Sequence, residues 1–218
     1  MTLPDTRSAE ALTQATRRVI DLVRRSKADP EAMRLATAAL QAVAEQLEPD
    51  AIDGPYSQRD LLFGGMNAPG EVSFDAPTDF AEFFPYSPLV GPLNPLAPPM
   101  EFEVRGGRVH GKVTYGAPYV GPPQHVHGGI IAATLDELLG STNLVHMVGG
   151  MTGTLTIRYR RPTPVLKEIE LEGWLDRVDG RKVYAHGEMR HAGEVTAEAE
   201  GIFITGSMDQ LKRSLNAA

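Results

Sequence analysis

The spacing of apolar positions along this chain changes twice, and the changes divide it. Over residues 8–27, Leu12, Ala15, Thr16, Val19, Leu22 and Val23 recur at helical spacing and predict an amphipathic helix. Asp29 followed by Pro30 is an N-cap and first-turn signal, after which Met33, Ala36, Leu40, Val43, Ala44 and Leu47 keep the same period up to Glu48 and Pro49. Residues 1–50 therefore predict a helical hairpin packed against the main body or a second subunit. Residues 51–100 hold nine prolines, and "YSPLVGPLNPLAPP" excludes regular helix or central strand because proline lacks the N–H that both require. Leu89, Val90, Leu93 and Leu96 would be exposed in a loose linker, so this segment predicts an ordered arm across the body.

From 101 to 206 the period becomes two. "MEFEVRGG" is followed by "RVHGKVTYG" with Val109, Gly111, Val113 and Tyr115 on one side, and "TLTIRYRRP" sets Leu155, Ile157 and Tyr159 against Thr156, Arg158 and Arg160. Three more alternating runs follow, carrying Ile169, Leu171 and Leu175; Val183, Ala185 and Met189; and Val195, Ala197, Ala199 and Phe203, with turns at Asp179-Gly180 and Ala192-Gly193. Trp174 falls on the opposite face to Ile169 and Leu171 and predicts a cover for the outside of the sheet, under the N-terminal helices. About six antiparallel strands result, interrupted once by a helix over roughly 128–147. Residues 207–218 are left as a C-terminal tail.

That helix has no broad polar face: Ile130, Ile131, Leu135, Leu138, Leu139, Leu144 and Val145 surround it. Such a helix is a buried one, and the sheet must wrap it. Met147 and Met151, just beyond, are expected in the core. Two adjacent carboxylates in mid-helix, Asp136 and Glu137, then require a reason, since burying a carboxylate without a partner costs several kcal/mol. One turn away stand Ala132, Ala133, Gly140 and Ser141, small enough to admit a ligand or another backbone. The helix opens at Gly128-Gly129, where unpaired N–H groups and the positive end of the dipole suit an anion or oxyanion. Eight residues separate Gly128 from Asp136, roughly 12 Å of helix rise. One carbonyl cannot reach both within a chain; two helices antiparallel across a two-fold axis would bring Gly128 of one subunit toward Asp136 of the other.

Composition narrows the chemistry. The 218 residues include no cysteine, which removes disulfides, thiolate nucleophiles and cysteine-ligated zinc and fits a reducing compartment. The N-terminus lacks the apolar stretch of a signal peptide and no run is long enough to span a bilayer, so the expected location is the cytoplasm, without membrane partners. A net charge of −7 argues against nucleic acid. The first 50 residues carry seven Lys and Arg against eight Asp and Glu, so they too are unsuited to DNA. His125 and His127 form an HxH pair, but no further ligands stand at a characteristic spacing, and no metal or other cofactor is expected.

The opening "HGGIIAATLDELLG" and the strand "GTLTIRYRRPTPV" that follows it resemble the hotdog-fold acyl-CoA thioesterases of the phenylacetyl-CoA and 4-hydroxybenzoyl-CoA (Arthrobacter type) branch, over about residues 88–205. The likeness rests on His-Gly-Gly with a carboxylate nine residues after the histidine. It implies an α+β hotdog fold, a sheet wrapped around the central helix, acting on an acyl-CoA substrate. It also implies roles: Asp136 as nucleophile or as general base for water, the Gly128 N–H as donor to the thioester carbonyl, His127 as orienting group, and Thr152 as the hydroxyl that holds the attacking water. Some relatives carry a hydroxyl one turn after the acid, where this chain has Gly140. Gly129, Glu137, Arg158 and Arg160 are further candidates for substrate binding, the two arginines for the coenzyme A phosphates. The alternatives are a salt bridge at a dimer seam for Glu137 and a solvated outer face for the arginines. The shared site makes the expected unit a homodimer, with a dimer of dimers as an extension through the extra helices. Two other functions stay open: an acyl-CoA sensor without turnover, and a hydratase or dehydratase on the same fold, whose Asp and His patterns are not found here.

Overall fold

In the computed structural model, residues 6–51 and 80–205 are described. Residues 52–79 of the proline-rich segment and the expected tail at 207–218 lie outside them. Helix α1 runs over Thr6–Arg25 and α2 over Pro30–Leu47, with Asp29 capping α2 by accepting the Ala32 N–H at 2.8 Å. The two helices form where the period predicts, but only α1 packs on the body. It lies against the turn at Ala117–Tyr119, buries Thr13, and is pinned by Arg17 Nη2 donating to the Asn94 carbonyl at 2.8 Å. None of α2 is buried, and Met33, Leu35, Leu40, Val43 and Leu47 remain exposed.

A short helix, α3 (Phe80–Phe83), leads into a chain of turns. Its backbone bonds are local, such as Gly91 N–H to Ser87 and Leu93 N–H to Pro85, as the prolines dictate. Val90, Leu93 and Ala97 are buried beneath it, while Leu96 stays 63% exposed.

Among the described residues the sheet holds six strands: β1 (Met100–Arg105), β2 (Arg108–Thr114), β3 (Met151–Tyr159), β4 (Glu168–Asp179), β5 (Lys182–His191) and β6 (Glu194–Ile204). Their spatial order is β1-β2-β4-β5-β6-β3, every neighbouring pair antiparallel. The central helix, α4 (Gly128–Val145), crosses the inner face, and the core fills the space between with Val109, Val113, Leu135, Leu138, Ile169 and Phe203. Approach is close: a Cβ on Gly173 would come within 2.5 Å of Thr142 Oγ1. Tyr115 and Thr134 satisfy each other's buried hydroxyls at 2.7 Å, and burial raises the Tyr115 pKa well above its ordinary value.

Simple alternation fails at bulges. In β6 an extra residue at Thr196, which donates to the Met189 carbonyl at 3.2 Å, takes the buried place expected of Val195, now half-buried. In β3 the extra residue is Gly153: Thr152 lies opposite Phe203 and Thr154 opposite Ile202.

Three other expectations are corrected. Met147 and Met151 are 54% and 71% exposed, because the chain leaves the helix at Val145 and enters a strand that is at the edge of the sheet among the described residues. Trp174 is covered by its own sheet and not by the N-terminal helices: it stacks on His186 at 5.9 Å and carries the Arg108 guanidinium 5.2 Å above its ring. Nor is α4 enclosed all round. Ile131, Leu135, Leu138 and Leu139 face the sheet, yet Gly129 is exposed, Ala132, Asp136 and Gly140 are half-buried, and a Cβ on Gly140 would meet nothing within 4 Å. The stripe is small rather than polar, so it leaves no mark on the hydrophobic pattern.

Candidate active site

The start of α4 is built by His127. Its Nδ1 accepts the Gly129 N–H at 2.9 Å, and its carbonyl accepts the N–H groups of Ile130 and Ile131 at 2.9 and 3.2 Å. Of the four N–H groups that a helix start leaves without an intrahelical partner, Gly128 alone has no acceptor here among the described residues. From β3, Tyr159 donates its hydroxyl to the Gly128 carbonyl at 3.0 Å and holds the first turn in place. A cleft of about 410 Å³ adjoins this turn, lined by Val126, Gly128, Ile131, Tyr159, Arg160 and Arg161. His127 therefore orients the helix start, and Gly129, its N–H already taken, serves the turn.

Two turns along, Asp136 sits half-buried on the small-residue stripe. Thr152 donates its hydroxyl to Asp136 Oδ1 at 2.9 Å, and no described Lys, Arg or His pairs with the carboxylate. The bulge is what brings Thr152 there. Counting back from Leu155, Ile157 and Tyr159 by twos would set residue 152 on the outer face with Arg158; the extra residue at Gly153 reverses that and turns Thr152 toward the helix.

Glu137, the next residue, points elsewhere. Ser87 of the arm donates to Glu137 Oε1 at 2.7 Å, while Ser87 Oγ accepts the N–H groups of Leu89 and Val90 at 3.1 and 3.2 Å. Burial pushes the Glu137 carboxyl above its ordinary pKa; the Ser87 hydrogen bond opposes this and the nearby Asp136 charge adds to it. Among the described residues no cation pairs with it, so within one chain the arm occupies the place of the expected salt bridge.

Arg158 and Arg160 share the outer face of the sheet and do not join Asp136 in the same chain. Arg158 pairs with Glu200 at 2.7 Å and Glu198 at 3.6 Å, Arg160 with Glu198 at 2.5 Å, and Arg161 with Glu194 at 2.5 Å. These arginines hold Glu198 and Glu200 below the usual carboxylate range. Among the described residues no group of His, Asp and Glu could hold a metal, and His125 Nδ1 lies 2.8 Å from the Pro123 carbonyl.

Two residues of this neighbourhood carry no individual sequence signal. Tyr159 reads as one more inward position on a strand, and Ser87 as a turn residue.

A family model described as thioesterase superfamily matches residues 123–198, which include the start of α4, Asp136, Thr152 and the three arginines. The acyl-coenzyme A thioesterase THEM4 of Bos taurus is 37% identical over 94 residues, covering 41% of this chain and 38% of that protein. THEM5 of Homo sapiens is 31% identical over 94 residues, 41% of this chain and 37% of that protein. The chain thus matches well under half the length of these curated relatives. A crystal structure of a thioesterase superfamily protein, 35% identical, superposes with a TM-score of 0.73 over 90% of this chain and 94% of its own. The likeness to that structure, at 90% of the chain, reaches well beyond the hotdog sheet, and on it the chain belongs to the thioesterase superfamily.

Proposed function

We propose that this chain hydrolyses acyl-CoA thioesters at a site assembled from two copies of itself. The observation that carries this reading is the Asp136 carboxylate: on the open stripe of α4, hydrogen-bonded by Thr152 and unpaired with any described cation. A thioester needs only a donor for the developing oxyanion and a carboxylate that attacks or activates water. The unpartnered Gly128 N–H is that donor. With Asp136 as general base, it takes a proton from water as the oxygen adds to the carbonyl carbon, and the tetrahedral adduct then expels coenzyme A thiolate. With Asp136 as nucleophile, its oxygen adds to the carbonyl carbon and coenzyme A thiolate is expelled to leave an acyl-enzyme anhydride, which water then cleaves to the free acid and the Asp136 carboxylate. Thr152 aligns the carboxylate, or the water, in either case. No metal or cofactor enters.

The helix rise of roughly 12 Å between Gly128 and Asp136 supports sharing between subunits. So does the open stripe, whose small residues admit a second helix, and the free edge of β3, which a partner's sheet would extend. The exposed apolar face of α2 is a candidate contact for a dimer of dimers. Arg158 and Arg160 would meet the coenzyme A phosphates by exchanging their glutamate partners, and the His-Gly-Gly and carboxylate spacing favours kinship with the phenylacetyl-CoA and 4-hydroxybenzoyl-CoA branch, a kinship of the catalytic helix and not of the acyl pocket. No helix among the described residues is long and apolar enough to cross a membrane; with the absence of cysteine this supports a cytoplasmic location.

Thiol release from a panel of aryl and straight-chain acyl-CoAs tests the activity, and a purified protein that cleaves none of them refutes it. Mixing Asp136→Asn chains with Gly128→Pro chains, which lack the donor N–H, tests the sharing. A mixed dimer gathers both defects in one site and restores the other, so turnover should partly return; no recovery between folded, exchanging variants rules the shared site out.

A further inference from the structure

An apolar cavity adjoining α4 is built for the most part outside residues 123–198, the part of the chain that the family model covers. It is a chamber of about 730 Å³ between α1, the proline-rich arm and α4, lined by Ile20, Leu89, Leu96, Tyr119, Ile130 and Ala133 among others. Volume and lining are those of a small-molecule site. Three hydrogen bonds hold its walls: Arg17 to the Asn94 carbonyl at 2.8 Å, Asn94 Nδ2 to the Tyr86 carbonyl at 3.0 Å, and the Tyr119 hydroxyl to the Leu96 carbonyl at 2.9 Å. Leu96 is 63% exposed at its rim.

Its position singles out the occupant. Ile130 and Ala133 stand on α4 two turns and one turn before Asp136–Glu137, and at 3.6 residues per turn they continue the stripe of Glu137. The same arm that holds Glu137 through Ser87 supplies Leu89 two residues later. The chamber thus lies along the helix that carries the reacting carboxylate, on the face of Glu137.

We propose that α1 and residues 88–99 of the proline-rich arm form the acyl-chain chamber of this thioesterase, selecting substrates with a medium to long aliphatic acyl group. The inference rests on the acyl-CoA reading above. Chain length then becomes the specificity variable, since each methylene buried is worth about fourfold in affinity, ~0.8 kcal/mol.

The test separates binding from turnover by using the full-length protein and S-dodecyl-CoA, a thioether that cannot be hydrolysed, against coenzyme A itself, by calorimetry. Wild-type protein should bind the thioether at least about 100-fold more tightly, the contribution of several buried methylenes. Leu96→Glu, which puts a charge at the rim, and Leu89→Trp, which fills the interior, should each narrow that ratio by roughly tenfold while circular dichroism shows the fold intact. In parallel, the ratio of kcat/KM for dodecanoyl-CoA to that for butanoyl-CoA should fall by a similar factor in both. Equal affinity of wild type for thioether and coenzyme A overturns the chamber; so does a strong preference that neither folded variant reduces. A preference for the thioether that both variants weaken, in a protein that cleaves no acyl-CoA, upholds the chamber and refutes the thioesterase reading instead.

Discussion

Asp136 and Glu137 are covalent neighbours on one helix, yet they belong to different regions of the molecule. A step of one residue turns the side chain by about 100°, which here is the difference between the open stripe and the arm. Asp136 meets a hydroxyl from the sheet and otherwise faces a surface lined by Gly129, Ala132 and Gly140; Glu137 is tied to Ser87 and half-buried under the arm, with its pKa raised by burial. The first is a charge left available, the second a charge taken up by structure. Two identical functional groups can be given separate tasks by nothing more than helical geometry and what each side packs against.

The largest expected effect comes from exchanging the two. Asp136→Asn should lower kcat by about 10²–10⁴-fold, the usual range for a removed general base and a lower bound if Asp136 is the nucleophile. Glu137→Gln, which keeps the Ser87 contact sterically, should leave kcat close to wild type. Steady-state thiol release on both variants decides it, and an active Asp136→Asn beside an inactive Glu137→Gln would reverse the assignment.

A smaller effect is expected at the residue that the bulge delivers. Thr152→Val removes the hydroxyl that holds the Asp136 carboxylate, so kcat should fall roughly tenfold or more through lost alignment, while Tm changes little because the bond is exposed. Unaltered turnover would mean that Asp136 needs no alignment from β3.

The smallest effect concerns stability. Burial raises the folded-state pKa of Glu137 above the ordinary value of 4.5. Such a group contributes stability that is fully present below 4.5 and lost as pH rises through the raised folded-state value, because ionising it costs more in the folded chain than in the unfolded one. Glutamine does not titrate. Relative to wild type, Glu137→Gln should therefore gain stability between pH 4 and pH 8, read as the difference in urea midpoints at the two values; a constant difference would show that Ser87 fully compensates the buried charge.

The N-terminal helices repeat the lesson on a larger scale. Their period is equally legible in both, and Asp29-Pro30 marks the start of α2 as the structure has it. Nothing in the period distinguishes α1, which walls a chamber and bonds to Asn94, from α2, which buries no residue. Amphipathicity states that a face seeks a partner without naming it.

The sequence by itself determined the elements and most of their faces: two helices, a proline-bound arm, six strands with their turns, and one helix that must lie against the sheet. It also brought forward Gly128 and Asp136, because local signals suffice for them: glycines at a helix start, and a charge where the pattern allows none; His127 entered through the family resemblance. Periodicity is local, and so are these signals. Only the tertiary structure decided that Thr152 faces Asp136, since the bulge at Gly153 arises from the register between β3 and β6 and reverses the alternation that the strand alone would show. It alone set Tyr159 under Gly128 and Ser87 on Glu137, contacts spanning 31 and 50 residues. It also set Arg158 and Arg160 on the outer face, engaged by Glu198 and Glu200 and apart from Asp136 of the same chain. Which side of a helix meets which distant segment depends on how the whole chain closes around its core, and no window of neighbouring residues carries that information.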